Sequence, residues 1–142
     1  MGYDFRDPAR AAITIKDLST NLADIGPDIN VHIQRSPLSL SISWPKRAGF
    51  TLMEQPNCCG VLISTKTYVE KDFQGSGMAQ AMMPLKEAIA KQFGYSCLSA
   101  TVNISGNPKE AHILEKCGWT KGFEFVNART KNTVAFYQKK IV

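Results

Sequence analysis

With 142 residues, 44% of them hydrophobic and 20% charged, the chain has the composition of a single globular domain with a core of its own and no room for a second. It contains no apolar run of about 18 residues that could span a bilayer, and Asp4, Arg6, Asp7 and Arg10 break up any secretory leader, so a cytoplasmic protein with no membrane partner is expected. A net charge of +5 and a pI near 9.1 favour an anionic ligand, but the lysines and arginines are scattered along the chain, which argues against nucleic acid as the partner.

In chain order, Thr14 with Asp17 resembles a helix-opening capping box, and Ile15, Leu18, Leu22 and Ile25 follow at helical spacing until Gly26 and Pro27 stop them. A helix is expected from about Ile15 to Ile25. Ile29, Val31 and Ile33, then Leu38, Leu40, Ile42 and Trp44, alternate with polar residues and predict two antiparallel strands. A third strand is expected over Phe50 to Glu54, a turn at Gln55 to Asn57, and a long fourth strand from Cys58 to about Val69. These make a meander.

From about Ser76 to Phe93 the residues are helix formers, with Met78, Met82, Leu85, Ile89 and Phe93 spaced by four, three, four and four. Pro84 falls inside this run and predicts a kink or an early break. Gly94 would cap the helix, Tyr95 to Val102 reads as a strand, and Asn107 with Pro108 opens a helix that runs to Cys117 and is closed by Gly118. Phe123 to Val126 and Val134 to Gln138 look like a closing hairpin, with Lys139 and Lys140 as a solvated tail. The resulting class is α/β, a mixed sheet with helices packed on it.

Four cysteines and two histidines are too dispersed to hold a metal. Cys58 and Cys59 are adjacent, no pair is spaced CxxC, and His32 and His112 are far apart, so the cysteines, Cys97 and Cys117 included, are expected to be small buried hydrophobes.

The most informative stretch is Gln74, Gly75, Ser76, Gly77, Met78, Ala79, which turns from a strand into a helix. A helix N-terminus carries unsatisfied amides and the positive end of the helix dipole, so it favours an anion. Gly75 and Gly77 have no Cβ to keep a phosphate away from the backbone.

These residues resemble the acetyl-CoA-binding motif of the GNAT-type N-acetyltransferases: a strand ending in Val, here Val69, then Gln74, Gly77 and Ala79 at the defining positions, with Gly75 and Met78 as common choices between them. A second stretch agrees, an Asn opening a helix that ends eleven residues later in Gly and an aromatic, here Asn107 with Gly118 and Trp119. The resemblance covers about Cys58 to Trp119 and implies a GNAT-like fold, a mostly antiparallel sheet flanked by helices. It also implies acetyl-CoA as cosubstrate and acetyl transfer to a primary amine on a small molecule or a protein. The pyrophosphate would then lie on the amides of Gln74 to Ala79, Ser76 among them, with the pantetheine along the backbone near Val69 and Asn107 holding its far arm. A splayed pair of strands would polarise the thioester carbonyl through a backbone amide.

The same resemblance exposes two vacancies. Many members place a Tyr four residues before the closing Gly as proton donor; this chain has Leu114. Nor does the strand ending at Val69 carry the Glu that some use as base, which leaves Tyr68 and Glu54 as the nearest candidates for catalytic groups. His112 would face outward, two residues from Leu114 on the helix. Lys71 stands where a Pro is common. A catalytically silent module, for binding or as a phage structural part, is the alternative to an enzyme.

Overall fold

The computed structural model describes residues 30–34 and 37–141. The expected helix over Ile15 to Ile25 lies outside the described residues. A seven-stranded sheet forms the frame, from β1 (Asn30–Gln34), β2 (Ser39–Trp44), β3 (Ala48–Gln55), β4 (Cys58–Val69), β5 (Cys97–Asn103), β6 (Thr120–Val126) and β7 (Thr133–Lys140), in the spatial order β1-β2-β3-β4-β5-β7-β6. Two helices, α1 (Met78–Gln92) and α2 (Pro108–Lys116), follow β4 and β5. All neighbouring strands are antiparallel except β4 and β5, as their crossover through α1 requires.

Period-two alternation makes one face of the sheet. In β2, Leu40, Ile42 and Trp44 are buried while Ser39, Ser41 and Ser43 point the other way, where Ser41 Oγ lies 2.9 Å from Thr51 Oγ1 of β3. Phe50 and Leu52 of β3, Leu62 of β4, Leu98 and Val102 of β5 and Tyr137 of β7 continue the buried face. Against it α1 sets Met78, Met82, Met83, Leu85, Ile89 and Ala90, and α2 sets Ala111 and Leu114. Burial of a side chain of this size stabilises the fold by roughly 1.5–3 kcal/mol.

Several elements differ from expectation for identifiable reasons. Helix α1 starts at Met78 and not Ser76, because Gly75 and Gly77 both adopt positive φ, +81° and +86°, which no helical residue can. It is not broken at Pro84, which is exposed: the missing amide falls on the solvent side while Met82, Met83 and Leu85 anchor that turn. Tyr95 belongs to the helix end and not to β5, since its amide reaches back to Ala90 O (2.8 Å) across Gly94, φ +84°. Cys58 and Cys59 are exposed, at the tip of the β3–β4 hairpin beyond the reach of the core; all four cysteines are unpaired. Lys139 and Lys140 finish β7 and do not form a solvated tail, and Lys139 is tied to Glu87 (3.0 Å) and to the Cys117 carbonyl (2.8 Å).

Candidate functional site

The parallel pair at the centre of the sheet holds over only three register positions, Val61 with Cys97, Leu62 with Leu98 and Ile63 with Ser99. Beyond them β4 continues to Val69 and β5 to Asn103 with no pairing between the two, so the sheet forks. β4 is bulged in the same stretch: between the pairs Gly49–Tyr68 and Thr51–Thr65 it carries one residue more than β3, and Lys66 takes φ +40°. An inserted residue bends a strand and re-aims its side chains. The splayed pair expected from the resemblance is therefore present.

At the open end of the fork the chain turns through a short 3-10 segment, Lys71–Phe73, into α1. Gln74 Nε2 donates to the carbonyl of Val69 at 3.1 Å, closing the corner, and the Ser76 hydroxyl donates back to Phe73 O. Arg47 of the β2–β3 turn lies over the Phe73 ring, 5.4 Å from its centroid, which fastens the segment to the sheet. The first helical bond is Ala81 N to Gly77 O (2.9 Å), and no side chain caps the helix. The amides of Gly75, Gly77, Met78, Ala79 and Gln80 thus find no acceptor among the described residues. A Cβ built on Gly75 or Gly77 would meet nothing within 4 Å, so the space over both is open. From Ser76 and Gly77 a groove of about 620 Å³ runs past Gln80, Pro84 and Glu87 of α1 to Lys116 at the end of α2.

The Asn107 side chain serves as the N-cap of α2: its Oδ1 accepts from Glu110 N and its Nδ2 donates to Glu110 Oε2, both at 3.4 Å. His112 is exposed and Leu114 is buried, as their separation on the helix required. Tyr68 is 45% exposed and lies across Gly49, where an added Cβ would come within 2.7 Å of its hydroxyl. Glu54 is elsewhere: it pairs with Leu62, about 17 Å along β3 from the Gly49–Tyr68 pair. Its carboxylate accepts from the Tyr95 hydroxyl at 2.6 Å, and burial together with that bond raises the Tyr95 pKa. The two candidate catalytic groups are not brought together.

Sequence reasoning passed over Lys86. It is 1% exposed on the inner face of α1, and its Nζ donates to Ser64 Oγ (2.9 Å) and Thr67 Oγ1 (2.8 Å) with the Phe50 ring 5.3 Å away. Burial pulls its pKa down to about 8, against the opposing pull of Glu110 and Cys117. Glu110 is shifted upward by burial, in part offset by Lys86. The signal was available: Lys86 is four residues after Met82 and three before Ile89, on the apolar stripe.

No group of three or more His, Cys, Asp or Glu side chains suited to a metal occurs among the described residues, and no described helix is long and apolar enough to cross a membrane. No family model matches the sequence, and no curated protein matches it. Solved structures do. A GNAT-family protein from Desulfovibrio desulfuricans superposes with a TM-score of 0.64 at 14% identity, over 74% of this chain and 69% of that one. The spermidine N-acetyltransferase of Vibrio cholerae, solved with CoA and spermine, gives 0.59 at 16% identity over 73% and 65%. An IAA acetyltransferase from Bacillus cereus gives 0.59 at 12% identity over 80% of this chain and 99% of that one. The chain has the fold of the GNAT acetyltransferases.

Proposed function

We propose that the protein is an acetyl-CoA-dependent N-acetyltransferase acting on a primary amine. The observation that carries this reading is the fork between β4 and β5 opening onto the turn at Gly75–Ala79, with five amides that have no acceptor among the described residues. A diphosphate would take up those amides, and a positive dipole end adds to the attraction. Lys116 in the adjoining groove supplies a further cation, while the one carboxylate there, Glu87, is already paired with Lys139. The pantetheine would follow the released edge of β4 from Val69 toward Ser64, where strand amides without a β5 partner can hold it and polarise the thioester carbonyl.

Gly75 and Gly77 admit the phosphates, Gln74 holds the corner at Val69, and Ser76, Met78 and Ala79 contribute backbone. Asn107 acts on the ligand through the helix it caps. Of the two catalytic candidates, Tyr68 stands beside the fork on the face away from the helices and suits the amine's approach, whereas Glu54 is engaged by Tyr95 at the other end of the sheet. The V. cholerae structure contains spermine, so polyamines head the list of acceptors to try. Unpaired cysteines fit a reducing, cytoplasmic setting.

Calorimetric titration with acetyl-CoA tests the reading. Binding in the micromolar range is expected, and no heat at high micromolar ligand would sink it. A second reading, a silent binding module, draws on Leu114, which fills the proton donor's usual place with a buried hydrocarbon. Sustained release of CoA thiol with any amine in a broad panel would dismiss it.

A further inference from the structure

Lys86 brings a positive charge into the wall of the fork, and the way it is held says what that charge can do. The two hydroxyls on its Nζ belong to residues three apart on β4, which in a regular strand would face opposite sides. The bulge at Lys66 turns both toward α1. They take two of the three N–H donors of the ammonium, and the Phe50 ring stands 5.3 Å away as a cation–π neighbour.

An ammonium has no lone pair, so both hydroxyls must accept from it, and each keeps its own hydrogen for another acceptor. Ser64 Oγ and Thr67 Oγ1 are 3.4 Å apart, so one of those hydrogens can serve the other hydroxyl. The second has no acceptor among the described residues. Ser64 is the first residue of β4 past the last pair with β5, at the apex of the fork.

We propose that the Ser64 hydroxyl, backed by the Lys86 ammonium, gives the departing CoA thiolate its proton. This rests on the acetyl-transfer reading and fills the vacancy at Leu114. As the neutral amine forms its bond to the acetyl carbon, the C–S bond breaks and its electron pair stays on sulfur. Sulfur takes the Ser64 hydrogen, and the Ser64 oxygen takes one from Lys86 Nζ. Once CoA has left, the proton shed from the acetylated nitrogen returns through solvent to the Ser64 hydroxyl, which passes its own hydrogen to the buried Lys86, so the net result is one amine proton on sulfur with nothing oxidised or reduced. Ser64 is the catalytic residue in this scheme, and Lys86 is the positioning residue that keeps it charged with a proton.

The energetics suit a thiol. With its pKa near 8, Lys86 lies close to the roughly 8.5 of a free thiol, so the handover runs with little gain or loss in either direction. The titratable groups that bear on it from α2 and its end are Glu110 and Cys117; β3 presents Phe50, and β4 the two hydroxyls.

The test uses the full chain, with Ser64→Ala and Lys86→Met beside the wild type, each checked for a native thermal transition. Spectroscopic titration of the thiol of bound CoA, read as a difference against the unliganded protein, needs no acceptor amine. The thiol pKa is expected at least half a unit lower in wild type than in Lys86→Met. With an amine that turns over, both variants are expected to lose tenfold or more in kcat with KM for acetyl-CoA little changed, and Lys86→Met to lose the decline in kcat above about pH 8 that Lys86 ionisation imposes on the wild type. If CoA binds but its thiol titrates alike in wild type and Lys86→Met, or if both variants keep wild-type kcat, the proton-donor assignment falls while acetyl transfer stands. If the wild type binds no CoA, or binds it and releases no thiol with any amine, both fall.

Discussion

At their C-termini α1 and α2 are built alike: each stops at a glycine with positive φ, Gly94 and Gly118, and in each the following aromatic, Tyr95 or Trp119, sends its amide back five residues to a helical carbonyl. Their N-termini are opposites. Asn107 caps α2 with its own side chain, and Pro108 removes one of the amides that would need a partner. At α1 the cap position is Gly77 in the left-handed region, no side chain reaches the helix, and the amides stand open. A helix that needs only to be stable closes its own end; one left open at a similar place in the same sheet is available to an anion.

The helices differ in their buried faces as well, and that difference gives the largest expected effect. α1 buries an ammonium, whereas α2 buries only Ala111 and Leu114. Because the folded-state pKa of Lys86 is lowered, the unfolded chain binds more protons between about pH 8 and 10.5, and stability rises with pH through that window. From pH 7.5 to 9.5 the Lys86 contribution should grow by roughly 2 kcal/mol. Cys97 and Cys117, raised by burial, act in the opposite sense from about pH 9, so the reading is the difference between wild type and Lys86→Met in urea midpoints. An equal pH response in both proteins would place the ammonium in water.

Next in size is the open end itself. Gly77→Asp sets a carboxylate where phosphates should lie and puts a side chain at φ +86°, so CoA affinity should fall tenfold or more, about 1.4 kcal/mol or greater, by calorimetry. An unchanged dissociation constant in a folded variant would move the ligand elsewhere. At the closed ends, Gly118→Ala should cost about 1 kcal/mol of stability, the penalty of a Cβ in the left-handed region, with a small addition for displacing Lys139 Nζ, 3.3 Å away and held by Glu87 and the Cys117 carbonyl. The smallest effect is expected for Asn107→Ala. Its capping bonds are long at 3.4 Å, which points to about 0.5 kcal/mol, the lower end for a lost cap. If CoA affinity falls in that variant by much more than tenfold, Asn107 touches the ligand directly and the contrast between the two helix starts is weaker than drawn.

What the sequence determined by itself is local. The alternation in Ser39–Trp44, the span Cys58–Val69, the glycine endings, the Asn107 cap and the glycine turn at Gly75–Gly77 were legible because each is decided within a few residues by side-chain period or by which residue tolerates positive φ. Pro84 and Tyr95 misled where wider context decided: core contacts carry α1 past a proline, and a helix-ending bond claims a residue with strand propensity. Only the tertiary structure decided that β4 leaves β5 after Ile63, that one extra residue near Lys66 turns Ser64 and Thr67 to the same side, and that Lys86 from the next helix is held between them. Those facts depend on register between strands and on contacts 19 and 22 residues apart, which no local preference encodes, and a lysine on an apolar stripe becomes a proton-holding group only when its partners arrive from elsewhere in the chain.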